Sequence, residues 1–263
     1  RVQARRLLEL DLRSALAHKE FALHYQPIIK LDHGDVTGLE ALLRWTHPRR
    51  GSVAPAEFIP LAEETGLIVP IGEWVVRQAC KDAMAWPEHV TVSVNVSPVQ
   101  FKNALLVPMI TSALAWSGLP AHRLELEITE SVLLQDTDAT LATLHQLRAL
   151  GVHVSMDDFG TGYSSLSYLR RFPFDKIKID QSFVRDLGTN KQSHAIIDAV
   201  TSLGATLGMV TTAEGVETRD QLEQLRAHGC TEVQGYYISK PEPVEKICQS
   251  FFPPSVEKTR MLS

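Results

Sequence analysis

The stretch Met156-Asp157-Asp158-Phe159-Gly160-Thr161-Gly162-Tyr163-Ser164-Ser165 sets two adjacent carboxylates where a short alternating run, Val152-His153-Val154-Ser155, gives way to a glycine-rich loop. Neighbouring side chains on a strand face opposite ways, so both acids address one point only if the backbone turns there. Gly160 and Gly162 permit such a turn. Two close carboxylates repel unless a proton or a cation lies between them. The stretch therefore reads as a cation site at the root of a deformable loop. The plain alternative is a solvated Asp-Asp turn.

Polar residues recur at the ends of other apolar alternations. In Val92-Ser93-Val94-Asn95-Val96 the valines share one face and Asn95 lies on the other. In Leu124-Glu125-Leu126-Glu127-Ile128, Glu127 opposes the apolar face, and Lys178 has the same parity in Lys176-Ile177-Lys178-Ile179-Asp180. Glu40 sits between Leu39 and Ala41 with Arg44 beyond it, Glu214 and Glu217 follow Ala213, and Gln234 precedes Gly235-Tyr236. Singly, each has an ordinary explanation. Asn95 can cap a helix, Glu214 and Glu217 can be helix N-terminal acids, and Lys178 and Arg44 can be halves of structural ion pairs. Together they place a polar group at the same end of nearly every strand. Buried charges are costly unless paired or bound to metal.

Glu40, Asn95, Glu127, Asp157, Asp158 and Glu214 offer oxygen, and no His or Cys converges with them. Such a set selects Mg²⁺ or Mn²⁺ over zinc. So many carboxylates suit two ions, a pair that clamps the attacking and leaving oxygens of a phosphoryl centre. Lys178 is then placed to orient or deprotonate a water, and Arg44 to hold a phosphate oxygen.

The elements that must position these groups follow a regular order. Residues 21 to 29 and 36 to 45 read as strands, joined by a turn containing Asp32-His33-Gly34-Asp35 that is too short for a parallel crossover. They form a hairpin. Further strands are predicted at 91–97, 123–129, 152–157, 174–179, 208–213 and 231–238. Helices are predicted at 2–18, 55–65, 71–85, 104–117 and 138–149, from about 164, at 190–206 and 218–228, and from 243. Eight strands, the last six separated by helices, predict an α/β fold: a TIM-like (β/α)8 barrel with the first strand antiparallel to the others. The rival is an open doubly wound sheet, but no glycine-rich dinucleotide fingerprint favours it. The domain reading is an amphipathic or linker helix over 1–20, a barrel over 21–255 and a tail over 256–263.

Composition narrows the partners. A formal net charge of −5 in 263 residues offers no broad basic face for a nucleic-acid polymer. Cys80, Cys230 and Cys248 suggest neither a disulfide framework nor a zinc pattern, which suits a reducing cytoplasm. No apolar run is long enough to span a bilayer, and no membrane contact is expected of this segment. Arg1 at the start is consistent with a piece of a longer protein.

The residues above also match a family. EALLRW at 40–45 resembles the signature of the EAL domain, the cyclic di-GMP phosphodiesterase family. The likeness runs through YQPI at 25–28, EFIPLAEETGLI at 57–68, VSVNVSPVQF at 92–101 and LEITES at 126–131. It continues through MDDFGTGYSSLSYL at 156–169, DKIKIDQSFV at 175–184, TAEGVET at 212–218 and QGYYISKP at 234–241. The resemblance implies a barrel with a reversed first strand, and hydrolysis of cyclic di-GMP to linear pGpG with Mg²⁺ or Mn²⁺. It implies Glu40, Asn95, Glu127, Asp157 and Asp158 as metal ligands, with Glu214 serving a second ion directly or through water. Lys178 would activate the water, with Glu217 and Gln234 supporting the site. Arg44 would hold a substrate phosphate and Gln26 would lie near the ligand. Glu130 resembles the anchor of the loop after Asp158, so that Phe159 to Ser165 is the expected regulatory switch, close to a homodimer interface. An upstream sensory or GGDEF-type domain is expected in the full-length protein. Two other functions compete: a cyclic di-GMP receptor without catalysis, and a different metal-dependent barrel enzyme such as a lyase or aldolase.

Overall fold

Alternating residues over Phe21–Lys30 (β1) and Val36–His47 (β2) pair antiparallel in the computed structural model, from Phe21 opposite Trp45 to Ile29 opposite Val36. This is the expected hairpin. The structure describes residues 2–133, 137–160, 169, 171, 174–188 and 190–253. Gly51–Val53 (β3) folds back on the end of β2. Thr91–Asn95 (β4), Leu124–Thr129 (β5), His153–Phe159 (β6), Lys176–Ile179 (β7), Val210–Ala213 (β8) and Glu232–Gln234 (β9) then follow, each parallel to the strand before it, with β4 parallel to β2. β9 pairs antiparallel with the free edge of β1, and this closes the ring. The fold is the predicted TIM-like barrel, with β1 alone reversed among its eight staves. β3 and the two-residue Glu242–Pro243 (β10), which pairs with β1, lie outside that ring and were not expected from the sequence.

Helices connect the parallel strands. After Val2–Ala15 (α1) come Pro55–Thr65 (α2), Ile68–Ala83 (α3), Pro98–Phe101 (α4) and Leu106–Ser117 (α5). Glu130–Leu133 (α6), Thr137–Ala149 (α7), Gln181–Arg185 (α8), Lys191–Leu207 (α9), Arg219–Ala227 (α10) and Val244–Phe251 (α11) follow. Ser97 with Gln100, and Thr218 with Gln221, form reciprocal capping boxes that start α4 and α10 just beyond strand ends. The helix expected from about residue 164 lies outside the described residues.

The two faces of each strand have divided the work. Val92, Val94, Leu124, Leu126, Val154, Met156, Ile177 and Ile179 are buried in the apolar core, which includes the helices' Val76, Ala79, Ile110, Leu147 and Ile197. The alternate set, Ser93, Glu125, Glu127, Ser155, Lys176, Lys178, Thr212, Glu232 and Gln234, is also buried. Lys176 on β7 reaches Glu125 on β5 and Glu232 on β9, strands that are not its neighbours, so this set fills the barrel interior. Barrels of this kind usually fill that space with Val, Ile and Leu. Here the hydrophobic effect acts between strands and helices, and the interior is left to polar groups.

Candidate active site

Lys178, on β7, has no exposed surface, and four carboxylates surround its ammonium. Its Nζ lies 2.6 Å from Glu127 Oε2 and 2.6 Å from Glu214 Oε1. Asp157 Oδ1 is 3.3 Å away and Glu40 Oε2 3.6 Å. The acids come from β5, the end of β8, β6 and β2, so the group gathers where parallel strands deliver their C-terminal ends. Burial alone would push the lysine down. The charges of Asp157, Glu127, Glu214 and Glu40 together outweigh it and hold the ammonium well above the ordinary lysine range. In this state Lys178 is a donor. That is the form that suits orienting a water rather than deprotonating one. Accepting a proton, the other role read from the sequence, requires another cation to take up the carboxylate charge first.

Asp157 and Asp158 reach one place because the backbone does turn between them. The pairing of β6 with β7 slips between Met156 and Phe159, and Asp158 adopts φ +54°, in the left-handed region. Oxygens of Asp157, Asp158 and Glu214 lie within 4.8 Å of one another. Burial, then the nearby charges of Asp157 and Asp180, push the Asp158 carboxyl up to about 6. Burial, with Asp157 and Glu40 adding to it against Lys178, pushes Glu214 up to about 8. Glu127 is driven well above its usual range by burial and by the Glu40 and Asp157 charges. Glu40 goes the other way: burial raises it, but Lys178 and hydrogen bonds from Gln234 and Asn95 bring it down.

These acids carry more negative charge than one lysine balances. Glu127 Oε1 and Asp157 Oδ1 are buried and accept no hydrogen bond among the described residues. Buried carboxylate oxygens without a hydrogen bond, Asp157 Oδ1 met only by the Lys178 ammonium at 3.3 Å, are what a divalent cation would satisfy, and an all-oxygen set fits a hard one. The residues present therefore fit a metal centre.

The remaining candidates fall around this cluster. Asn95, exposed at the end of β4, donates Nδ2 to Glu40 Oε1 at 2.8 Å. Gln234 Nε2 donates to Glu40 Oε2 at 2.6 Å and to Gln26 Oε1 at 2.9 Å, which ties β9, β2 and β1 together at the mouth. A cleft of about 340 Å³ is lined by Glu40, Asp157, Glu214 and Gln234 together with Arg44 and Glu217. Arg44 is half-buried and also borders an adjoining cavity of about 430 Å³ walled by Leu43, Ile59, Ile68 and Ile71. Glu217 is exposed, and its backbone N–H donates to Gln221 Oε1 at 2.8 Å in the approach to α10. It lies on the cleft rather than in the lysine-centred cluster.

Glu130 begins α6, and its Oε1 accepts the Gly160 N–H at 3.0 Å. That bond holds the first residue after β6, two positions beyond Asp158. Most of the glycine-rich stretch beyond it, residues 161–168, lies outside the described residues. Glu130→Ala is expected to weaken metal affinity and activity by about 10- to 100-fold, the range for outer groups that orient a ligand. A metal titration of activity checks this, with light scattering to follow assembly. Unchanged values in both remove Glu130 from the site.

Three buried ionised residues were passed over in the sequence: Glu125, Lys176 and Glu232. Each stands two positions before a candidate on the same strand, Glu127, Lys178 and Gln234. Their shared parity was the available signal.

Residues 9–241 match the family model described as the EAL domain. The chain is 54% identical over 245 residues to the uncharacterized protein y4lL of Sinorhizobium fredii, a match that covers 93% of this chain and 30% of that protein. It is 46% identical over 244 residues to the bifunctional diguanylate cyclase/cyclic di-GMP phosphodiesterase MucR of Pseudomonas aeruginosa, covering 91% of this chain and 36% of that one. The solved PaMucR phosphodiesterase in complex with c-di-GMP is similar at a TM-score of 0.89 and 45% identity, over 92% of this chain and 99% of that one. The chain spans about a third of the length of these curated relatives.

Proposed function

The chain belongs to the EAL domain family, and from that membership and the geometry of its acids we propose that it hydrolyses cyclic di-GMP to linear pGpG with Mg²⁺ or Mn²⁺. The observation that carries this reading is the complete oxygen set around Lys178, with buried carboxylate oxygens left without a hydrogen bond. Glu40, Asn95, Glu127, Asp157, Asp158 and Glu214 would hold two ions. Bound there, the ions would supply charge that polarises the phosphodiester and acidifies an attacking water.

The chain's own residues do the rest. Lys178 points its N–H groups into the cluster and fixes the water's orientation. Arg44 offers a guanidinium between the cleft and the apolar cavity, where a phosphate oxygen and a flat base meet. Gln234 holds Glu40 from the far side and is itself held by Gln26, and Glu217 lines the entrance. In the reaction one P–O bond forms to the water oxygen and one bond to a 3′ oxygen breaks. The water's proton ends on that leaving oxygen, and the other phosphodiester stays intact.

The reading extends to an upstream sensory or GGDEF-type domain, since a relative named for both cyclase and phosphodiesterase is about two and a half times as long as this chain, and to a homodimer in the cytoplasm. No helix among the described residues is long and apolar enough to cross a membrane.

The test is incubation with cyclic di-GMP and Mg²⁺ or Mn²⁺, products separated by chromatography. Linear pGpG is expected, and exhaustive chelation is expected to abolish it. Ca²⁺ should bind yet support turnover poorly, because its larger and looser shell fits a two-ion clamp badly. Tight binding without product under both ions replaces this reading with a receptor. Full activity after chelation removes the metal from it.

A further inference from the structure

Beneath the acid cluster lies a second set of buried charges. Lys176 Nζ is 3.1 Å from Glu125 Oε2 and 3.1 Å from Glu232 Oε2. All three residues are buried, at 6%, 3% and 8% exposure. Every carboxylate oxygen in the set has a partner. Ser93 Oγ donates to Glu125 Oε1 at 3.0 Å. Thr37 Oγ1 donates to Glu232 Oε1 at 2.8 Å, and Thr212 Oγ1 to Glu232 Oε2 at 2.9 Å. The lysine and its two acids come from β7, β5 and β9, three alternate strands, and so form one layer across the barrel.

Each member stands two residues, about 6.6 Å, below a site residue on the same strand. Glu125 is beneath Glu127, Lys176 beneath Lys178 and Glu232 beneath Gln234. A layer of Val, Ile and Leu is the ordinary filling, and replacing a buried ion set by apolar residues of like volume is often neutral or stabilising. Stability alone therefore does not account for charge at this depth. What the ionic layer does that an apolar one cannot is fix the sliding of β5, β7 and β9 against one another through directional, charge-assisted bonds. Those three strands carry Glu127, Lys178 and the Gln234 that holds Glu40.

We propose that Lys176, Glu125 and Glu232 form a positioning layer that sets the height and register of Glu127, Lys178 and Gln234 and thereby the geometry of the metal site. The layer touches neither substrate nor cation. Its two acids and one lysine also add one net negative charge beneath the cluster, which favours cation binding from below. The inference rests on the phosphodiesterase reading for its kinetic consequence, but not for its consequence on cation binding.

The test converts the layer to an apolar one, Glu125→Leu with Lys176→Met and Glu232→Leu. Mn²⁺ binding is measured by calorimetry without substrate, Tm by thermal melting, and kcat and KM with cyclic di-GMP. Tm is expected to hold or rise. Mn²⁺ affinity and kcat are each expected to fall about 10- to 100-fold, the effect of losing groups that orient a ligand. KM should move by less than about threefold, because the lost interaction is not a substrate contact. Wild-type Mn²⁺ affinity and kcat in the folded triple variant overturn the proposal and leave the layer as packing. Should the triple variant not fold, Glu232→Gln is read instead. It keeps volume but offers one acceptor oxygen where the carboxylate offers two, so one of the Thr37 and Thr212 bonds must reverse or be lost, and a fall of about 3- to 10-fold in Mn²⁺ affinity is expected, smaller than full removal. A wild-type value there overturns the proposal equally. If the unmutated protein yields no product, the phosphodiesterase reading fails, while the calorimetry still decides the role of the layer.

Discussion

Replacing Lys178 by methionine is expected to lower turnover by about 10²- to 10⁴-fold at saturating Mn²⁺, the usual share of a group that handles the reacting proton or water. Methionine keeps the unbranched buried stem, one heavy atom shorter, and removes the ammonium with its charge and donors. Four carboxylates lose their shared cation, Glu127 and Glu214 at 2.6 Å foremost. In metal-free protein this should cost about 3–5 kcal/mol, as breaking a buried ion pair does. A divalent cation supplies the missing charge, so Mn²⁺ should raise the Tm of the variant more than that of the wild type. The two measurements separate two roles. If Lys178 only neutralises its neighbours, Mn²⁺ restores turnover along with stability. If it orients the attacking water, Mn²⁺ restores stability alone. Wild-type turnover in the variant would reduce Lys178 to a structural cation.

Cation affinity is expected to rise steeply with pH, by up to about tenfold per unit between pH 6 and 8 for each proton displaced. In the metal-free protein Glu214 is pushed up to about 8 and Asp158 to about 6. A protonated carboxyl does not ligate. At pH 6 an arriving ion must displace the Glu214 proton and part of the Asp158 population, whereas at pH 8 Asp158 is already free and Glu214 is half so. The same shifts act on the fold with a defined sign. In the unfolded chain these acids have ordinary values and release their protons near pH 4 to 5. Over the window from there to about 8, the folded metal-free state binds more protons than the unfolded one. Its stability therefore falls as pH rises, by up to about 1.4 kcal/mol per unit for one such group. Calorimetry in buffers of different ionisation enthalpy reads the protons released, and melts with and without Mn²⁺ read the stability. An affinity that does not change with pH, with no proton release, would show that these carboxyls are not displaced by the ion.

Much of the fold was legible because period-two alternation puts apolar residues outward on strand after strand, and because the turn at Asp32–Asp35 is too short for anything but a hairpin. β3 and β10, at three and two residues, are too short to show a period. The site was legible where parity and strand ends coincided, as at Glu127 and Lys178. Depth was not. Glu125 and Glu127 have the same parity, as do Lys176 and Lys178, and alternation says which face a residue takes without saying how far down the barrel it sits. The turn at the two acids was legible but its left-handed residue was not, since it falls on Asp158 before either glycine of the loop. Glu214, read among the oxygen ligands, meets Lys178, while Glu217, read as a supporting residue, is exposed on the rim.

The reversed β1 also sets the order in which the site comes into being. Its pairing with β2 is local and needs only a short turn. Its pairing with β9 joins Ile28 to Gln234, near opposite ends of the chain. On a ribosome the hairpin emerges early, and Glu40 emerges with it, but the strand that completes the ring is the last to appear. The bonds from Gln234 to Glu40 and Gln26 cross that closing seam. An incomplete chain thus holds the hairpin and most of the acids without the ring that brings them to one point. Assembly of the acid cluster becomes a late event in the synthesis of this domain, reached only when the final stave docks, and a domain interrupted before β9 is left without it.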